Sequence, residues 1–152
     1  MEYVGDASRY IYGSPCASFK YMSTQFEFKG NLYFAGEFVD LFKVTDFSKQ
    51  SGFTIIRTPG LGEKIVDVVV EGDTAYVLSS VYDYKEKDKP ARIALYKTKD
   101  MRKFETITTF RCEVCPLSLV KDGNFLYLSM GNKNLTNVKN GTMLRIKLPD
   151  AQ

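Results

Sequence analysis

The feature that most constrains this chain is a phrase of short strands that occurs three times. In the first copy Gln25-Phe26-Glu27-Phe28-Lys29-Gly30 alternates polar and apolar residues, turns at Gly30-Asn31, and resumes as Leu32-Tyr33-Phe34-Ala35. In the second, Ile65-Val66-Asp67-Val68-Val69-Val70 turns at Glu71-Gly72-Asp73 and resumes as Ala75-Tyr76-Val77-Leu78. The third runs Leu117-Ser118-Leu119-Val120, turns at Lys121-Asp122-Gly123-Asn124, and resumes as Phe125-Leu126-Tyr127-Leu128. Each reads as a β-hairpin, because successive strand side chains point to opposite faces and glycine permits the backbone conformation that a tight reversal needs.

Further elements follow each hairpin. Leu41-Phe42-Lys43-Val44-Thr45-Asp46-Phe47 and Leu95-Tyr96-Lys97-Thr98-Lys99-Asp100-Met101 match closely, and Leu144-Arg145-Ile146-Lys147-Leu148-Pro149 is the third, looser version. A fourth element, Phe53-Thr54-Ile55-Ile56 and Phe104-Glu105-Thr106-Ile107, completes two copies, both as Phe, two residues, Ile. The third copy stops before reaching it.

The interval from Leu41 to Leu95 is on the order of 50 residues, near the roughly 40–50 of a four-stranded propeller blade. Blades stack face to face, so an inner strand is covered on both sides and reads as nearly continuous apolar. Val66 to Val70, interrupted only by Asp67, does so. The expectation is therefore an all-β, propeller-type fold of about three four-stranded antiparallel blades. A β-sandwich is the alternative; it shares the alternation but does not require the same phrase to recur. No segment carries the 3.6-residue periodicity of an amphipathic helix. Ala7 to Tyr12 is ambiguous in pattern, one reading being a further strand, Arg9-Tyr10-Ile11-Tyr12, ended by Gly13-Ser14-Pro15.

At 152 residues the chain suits one domain, residues 1–152, with approximate repeats at 17–60, 63–112 and 115–149. Tyr 10 and Phe 11 supply every aromatic residue, which favours strands and a packed core. The 21 basic residues against 18 acidic ones are scattered rather than gathered in a run that could neutralise phosphates, so nucleic acid is not an expected partner. No stretch approaches the ~20 apolar residues of a membrane helix, and the basic-then-apolar pattern of a leader is not seen at the start. A soluble protein is expected, with its compartment open and secretion or the cell surface both compatible. With no histidine, Ser-His-Asp, Cys-His and His-bearing zinc sites are excluded within the chain. Catalysis here would rest on carboxylates, Tyr, Lys or Cys.

Three blades do not close a ring, since closed propellers use about 4–8, and an open one leaves apolar blade faces at both ends. Either further blades lie in a longer chain or copies associate. Arg9 to Tyr12 is a candidate for the missing outer strand of the third copy, from the same chain or a neighbour, and two three-bladed chains would make six blades.

Thr98-Lys99-Asp100-Met101-Arg102-Lys103-Phe104 resembles the Ser-x-Asp-Leu-x-x-Trp phrase between third and fourth strands of propeller glycosidases, and more loosely the Asp-box of sialidases. Thr45-Asp46-Phe47 followed by Gly52-Phe53 is similar to a looser form. The resemblance implies that the Asp caps a turn and the aromatic packs between blades. It implies architecture, and carries no catalytic residue onto this chain. Asp46 and Asp100 read as turn residues accepting backbone hydrogen bonds.

In an up-and-down unit the connections alternate between two ends, so second-to-third strand loops and the links between copies share one end. That end is expected to carry Glu37-Phe38-Val39-Asp40, Tyr82 to Pro90, Asn132-Lys133-Asn134 through Gly141, Arg57 to Gly62 and Arg111 to Pro116. Tyr82-Asp83-Tyr84 combines flat aromatic faces with a carboxylate, as a sugar cleft does; the alternative is a solvated loop with its tyrosines on a neighbouring blade. Candidate binding residues are Glu37, Asp40, Tyr82, Asp83, Tyr84, Asn132 and Asn134. Glu37, Asp40 and Asp83 are also candidates for the carboxylate pair of glycoside hydrolysis, against chance proximity of common residues.

Cys112-Glu113-Val114-Cys115 has C-x-x-C spacing, but no helix follows and no second pair completes a zinc site, so buried or turn cysteines are expected, with a local disulfide if the chain is secreted. Cys16 makes the count odd. Asn134-Leu135-Thr136 and Asn140-Gly141-Thr142 match a glycosylation sequon at about chance frequency. No cofactor and no metal are expected. The functional expectation is a non-enzymatic binding or assembly module using one loop face for a glycan or protein partner. A fragment of a sialidase-like or other propeller glycoside hydrolase, and a structural subunit completing a ring as a homo-oligomer, are the alternatives.

Overall fold

The computed structural model describes residues 24–35, 40–49, 52–57, 63–81, 91–112, 114–131 and 141–149. They form three antiparallel sheets in chain order, and no helix occurs among them. The first sheet is β1 (Thr24–Phe28), β2 (Asn31–Ala35), β3 (Asp40–Val44) and β4 (Phe53–Arg57). The second is β5 (Glu63–Glu71), β6 (Thr74–Val81), β7 (Ala91–Thr98) and β8 (Glu105–Cys112). The third has three strands among the described residues, β9 (Cys115–Asp122), β10 (Phe125–Gly131) and β11 (Thr142–Lys147). Within each sheet every strand pairs with its sequence neighbour, so all three are up-and-down meanders. The all-β expectation holds in this form. Arg9 to Tyr12 lies outside the described residues.

The hairpins form where glycine meets alternating β-formers. Gly30, Gly72 and Gly123 hold φ of 70, 59 and 52°, a left-handed backbone that residues with a Cβ rarely adopt. The second and third reversals are tighter than the sequence suggests: Glu71 pairs with Thr74, and Lys121 and Asp122 pair with Leu126 and Phe125, while the first turn sits one residue earlier, at Lys29-Gly30, because Phe28 pairs with Asn31; each turn has two residues. Register then repeats across the sheets: Phe26, Tyr33 and Lys43 lie abreast in the first, Val69, Tyr76 and Lys97 in the second, and Val120, Tyr127 and Arg145 in the third. One side of every sheet therefore presents a tyrosine beside a cation.

The sheets stack through opposite faces, which we term forward (toward the next sheet) and rear (toward the preceding one). Phe26, Phe28, Tyr33, Ala35 and Leu41 on the forward face of the first sheet meet Val68, Ala75, Val77 and Met101 on the rear face of the second. Leu78, Ile93 and Leu95 on the forward face of the second sheet meet Leu119, Leu126, Leu128, Met130 and Leu148 of the third. Burying each such side chain contributes about 1.5–3 kcal/mol, so the two apolar layers hold the stack together. The second sheet, covered on both faces, carries the longest strands.

The innermost strands β1, β5 and β9 are tied together by one side chain. Asp67 Oδ2 accepts the Leu119 N–H of β9 at 2.8 Å, while Oδ1 accepts the Thr24 hydroxyl of β1 at 3.4 Å and the Val68 N–H at 2.9 Å. A bulge makes this possible: pairing of β5 with β6 skips from Ile65 to Asp67, and the extra residue re-aims the strand. The interruption in the apolar run is thus a polar cross-tie. No helix among the described residues is long and apolar enough to cross a membrane.

Asp67→Ala leaves the Leu119 N–H without its acceptor, and a loss of about 1–3 kcal/mol in urea unfolding is expected. Asp67→Asn, which keeps one acceptor oxygen, should fall between Ala and the parent. Equal midpoints for all three proteins would contradict the cross-tie.

Candidate functional site

The turn ends and the connection ends of the sheets separate cleanly. Lys29, in the first hairpin turn, donates to the Lys99 carbonyl beyond β7 at 2.7 Å, and Lys121 beside the third turn meets Glu71 beside the second at 2.6 Å. Hairpin turns and third-to-fourth strand turns therefore gather at one end. The strand termini flanking the second-to-third strand loops and the inter-sheet links lie at the other.

Of the sequence-derived candidates, Asp40 opens β3, where its backbone pairs with Arg57 of β4, on the connection end. Glu37, Tyr82, Asp83, Tyr84, Asn132 and Asn134 lie outside the described residues, as do Cys16, Asn134-Leu135-Thr136 and Asn140. Cys112 closes β8 and Cys115 opens β9 at that same end, and neither is in a disulfide. Among the described residues no three His, Cys, Asp or Glu side chains are grouped to hold a metal ion.

At the turn end the structure places a groove of about 720 Å³ between the second and third sheets, within the range of small-molecule sites. Tyr76 and Phe104 supply its aromatic surface, and Lys97, Lys99, Lys103 and Lys121 bring ammonium groups. Three of these are matched by carboxylates: Lys97 to Glu105 at 3.0 Å, Lys99 to Asp73 at 3.4 Å and Lys121 to Glu71 at 2.6 Å. Asp100 lines the groove as well. The groove is thus nearly charge-balanced and offers paired polar edges around two rings, not a field for a polyanion. Lys121 is the most enclosed of the four, its side chain 8% exposed, with its ammonium 5.6 Å from the Tyr76 ring centroid and 2.6 Å from the Gly123 carbonyl. Lys43 and Lys97 stand at the same place in the two matching third-strand segments, with Arg145 in the third, but the sequence alone attaches no site to them. The signal was the Tyr–Lys pairing, which is visible only once register is known.

The turn bordering this groove is the phrase read earlier as a turn cap. Asp100 Oδ1 accepts the N–H groups of Arg102 and Lys103, both at 2.8 Å, and Thr98 Oγ1 accepts the Met101 N–H at 3.0 Å. These bonds hold Met101 at φ 57° and drive its side chain into the layer between first and second sheets, with Phe104 edge-on to Tyr96 at 6.4 Å. Asp46 caps the corresponding turn of the first sheet through the Ser48 hydroxyl at 2.6 Å and the Ser48 N–H at 2.9 Å. Hydrogen bonds to Ser48 place the Asp46 carboxyl below the ordinary carboxylate value, those to Lys103 and Arg102 do so for Asp100, and the Thr74 hydroxyl followed by Lys99 does so for Asp73.

Lys121→Ala removes an enclosed ion pair and a cation–π contact, and about 1–2 kcal/mol of stability should be lost, whereas exposed Lys99→Ala should stay within ~0.5 kcal/mol. Guanidinium unfolding of the two variants separates them. A lowered carboxyl stabilises the fold while ionised, so the contribution of Asp46, Asp73 and Asp100 is full above the ordinary 3.8 and declines as pH falls through their lowered values. The triple Asn variant should therefore show a flatter dependence of melting temperature on pH below ~4 than the parent. Compared with protein-family models and with curated proteins, the sequence finds no match.

Proposed function

We propose that this chain is a non-enzymatic binding module of the β-propeller kind, which presents the connection end of its stacked sheets to a glycan or protein partner. The observation that supports this reading is the threefold repetition of one meander with the same register, stacked forward face to rear face. Radially stacked meanders are how propeller blades pack, and propellers place recognition in loops at one end. The capped turns of Asp46 and Asp100 agree with the architectural role that the propeller-glycosidase phrase implies. The two longest links between consecutive strands, residues 82–90 and 132–141, join strands at the connection end, whereas the other end carries the two-residue hairpins and the loops 45–52 and 99–104. Length and chemistry both favour the connection end, where Tyr82 and Tyr84 flank Asp83 and Glu37, Asp40, Asn132 and Asn134 add hydrogen-bonding groups.

Screening the protein on a glycan array alongside a panel of chromogenic glycosides tests the proposal. Binding without turnover is the expected result, and the double variant Tyr82→Ala, Tyr84→Ala should weaken it at least tenfold while the far-UV circular dichroism is unchanged. Release of chromophore at a rate removed by Asp83→Asn would instead identify a hydrolase.

A further inference from the structure

The two layers between sheets are built alike, but the first is filled beside its tyrosine and the second is not. In the first, Phe26 stands abreast of Tyr33 and stacks on it, with ring centroids 5.3 Å apart and planes 8° from parallel. Met101 packs into the same layer, and Tyr33 is 5% exposed. In the second, Val69 stands where Phe26 does, and no ring among the described residues stacks on Tyr76. Tyr76 is only half-buried, and the groove of about 720 Å³ opens beside it. Three polar groups there have bonding capacity to spare. Among the described residues the Tyr76 hydroxyl has no hydrogen-bond partner and the Lys103 ammonium pairs with no carboxylate. Asp100 takes Thr98, Arg102 and Lys103 on Oδ1 alone, so its Oδ2 is open to the groove's contents.

Charge narrows what can use these groups. The four lysines of the groove stand among four carboxylates, Glu71, Asp73, Asp100 and Glu105, so no net charge is left to draw in an ion. A wholly apolar molecule would strip water from ammonium and carboxylate groups and return no hydrogen bond. What fits is a ligand with apolar faces for the rings of Tyr76 and Phe104 and a rim that both donates and accepts, because an ammonium only donates and a carboxylate only accepts. We propose that this groove binds a neutral mono- or disaccharide, its C–H face against Tyr76 and its hydroxyls on the Lys103 ammonium and the Asp100 carboxylate. A pyranose ring carries apolar and hydrogen-bonding surfaces in that arrangement, and the groove is of small-molecule size. The site lies at the turn end, apart from the connection-end loops assigned above, and stands or falls without them. Its rigidity comes from the capped turn, whose backbone bonds to Asp100 and Thr98 hold Lys103 and Phe104 in place whether or not a sugar is bound.

The test is a titration of the isotope-labelled 152-residue chain, followed by its amide NMR signals, with methyl glucoside, methyl galactoside, methyl mannoside, N-acetylglucosamine, maltose, lactose and cellobiose at millimolar concentration. At least one of these should shift the amides of Tyr76 and of the turn from Lys99 to Phe104. Added sodium chloride should leave its affinity within about twofold, since a neutral ligand owes nothing to screened charge. Tyr76→Ala should weaken binding about tenfold. Tyr76→Phe, which keeps the ring, and Lys103→Ala, at an exposed position, should each weaken it about threefold and serve if the alanine variant at Tyr76 fails to fold. No shift at the turn end from any of the seven sugars overturns the proposal. Tighter binding of galacturonate than of methyl galactoside does so too, because it would make the groove an anion site. Sugar binding kept in Tyr76→Ala but lost in the double variant Tyr82→Ala, Tyr84→Ala sinks this site and leaves the connection-end reading standing; the opposite pattern upholds this site and counts against that reading.

Discussion

The described structure depends on Asp67. β1, β5 and β9 are the strands through which neighbouring sheets approach each other, and no backbone ladder joins one sheet to the next. A carboxylate with two acceptor oxygens solves this by reaching the Leu119 N–H of β9 with one and Thr24 of β1 with the other. A hydrophobic residue there would deepen the apolar run of β5 and fix nothing. The bulge at Val66 is the geometric counterpart, since it turns the strand so that the carboxylate sits between its neighbours. Hydrophobic layers supply the larger share of the free energy between sheets, but they are non-directional; the cross-tie fixes how the strands are placed.

Around that centre the same small parts recur. Left-handed glycines set the reversals, tyrosine–cation rows line the forward faces, and Asp-capped turns aim an apolar residue into the layer behind. The consequence for function is a division of labour. The turn end is compact and bonded to itself, with the lysines of its groove largely occupied by carboxylates. The connection end joins the two longest inter-strand segments, residues 82–90 and 132–141. Stacking is also directional, forward face to rear face in both contacts between the described sheets.

By itself the sequence determined the local structure. Period-two alternation, β-branched and aromatic residues and Gly-centred turns are short-range signals, and they located the hairpins, the third strands at Leu41 and Leu95 and the shorter third unit. The turn role of Asp46 and Asp100 was legible for the same reason, because a side chain bonding to backbone two or three residues away needs no distant partner. Tertiary structure decided the rest. Asp67 was only an interruption in an apolar run until β1 and β9 stood beside it, and the strand ends at Lys121 and Asp122 read as turn until Leu126 and Phe125 paired with them. Lys121 and Glu71, fifty positions apart, form a groove wall only because two sheets stack. Which face of each sheet is forward is likewise invisible in the chain, since alternation marks two faces without saying which one meets a neighbour. That choice rests on contacts between residues far apart in sequence.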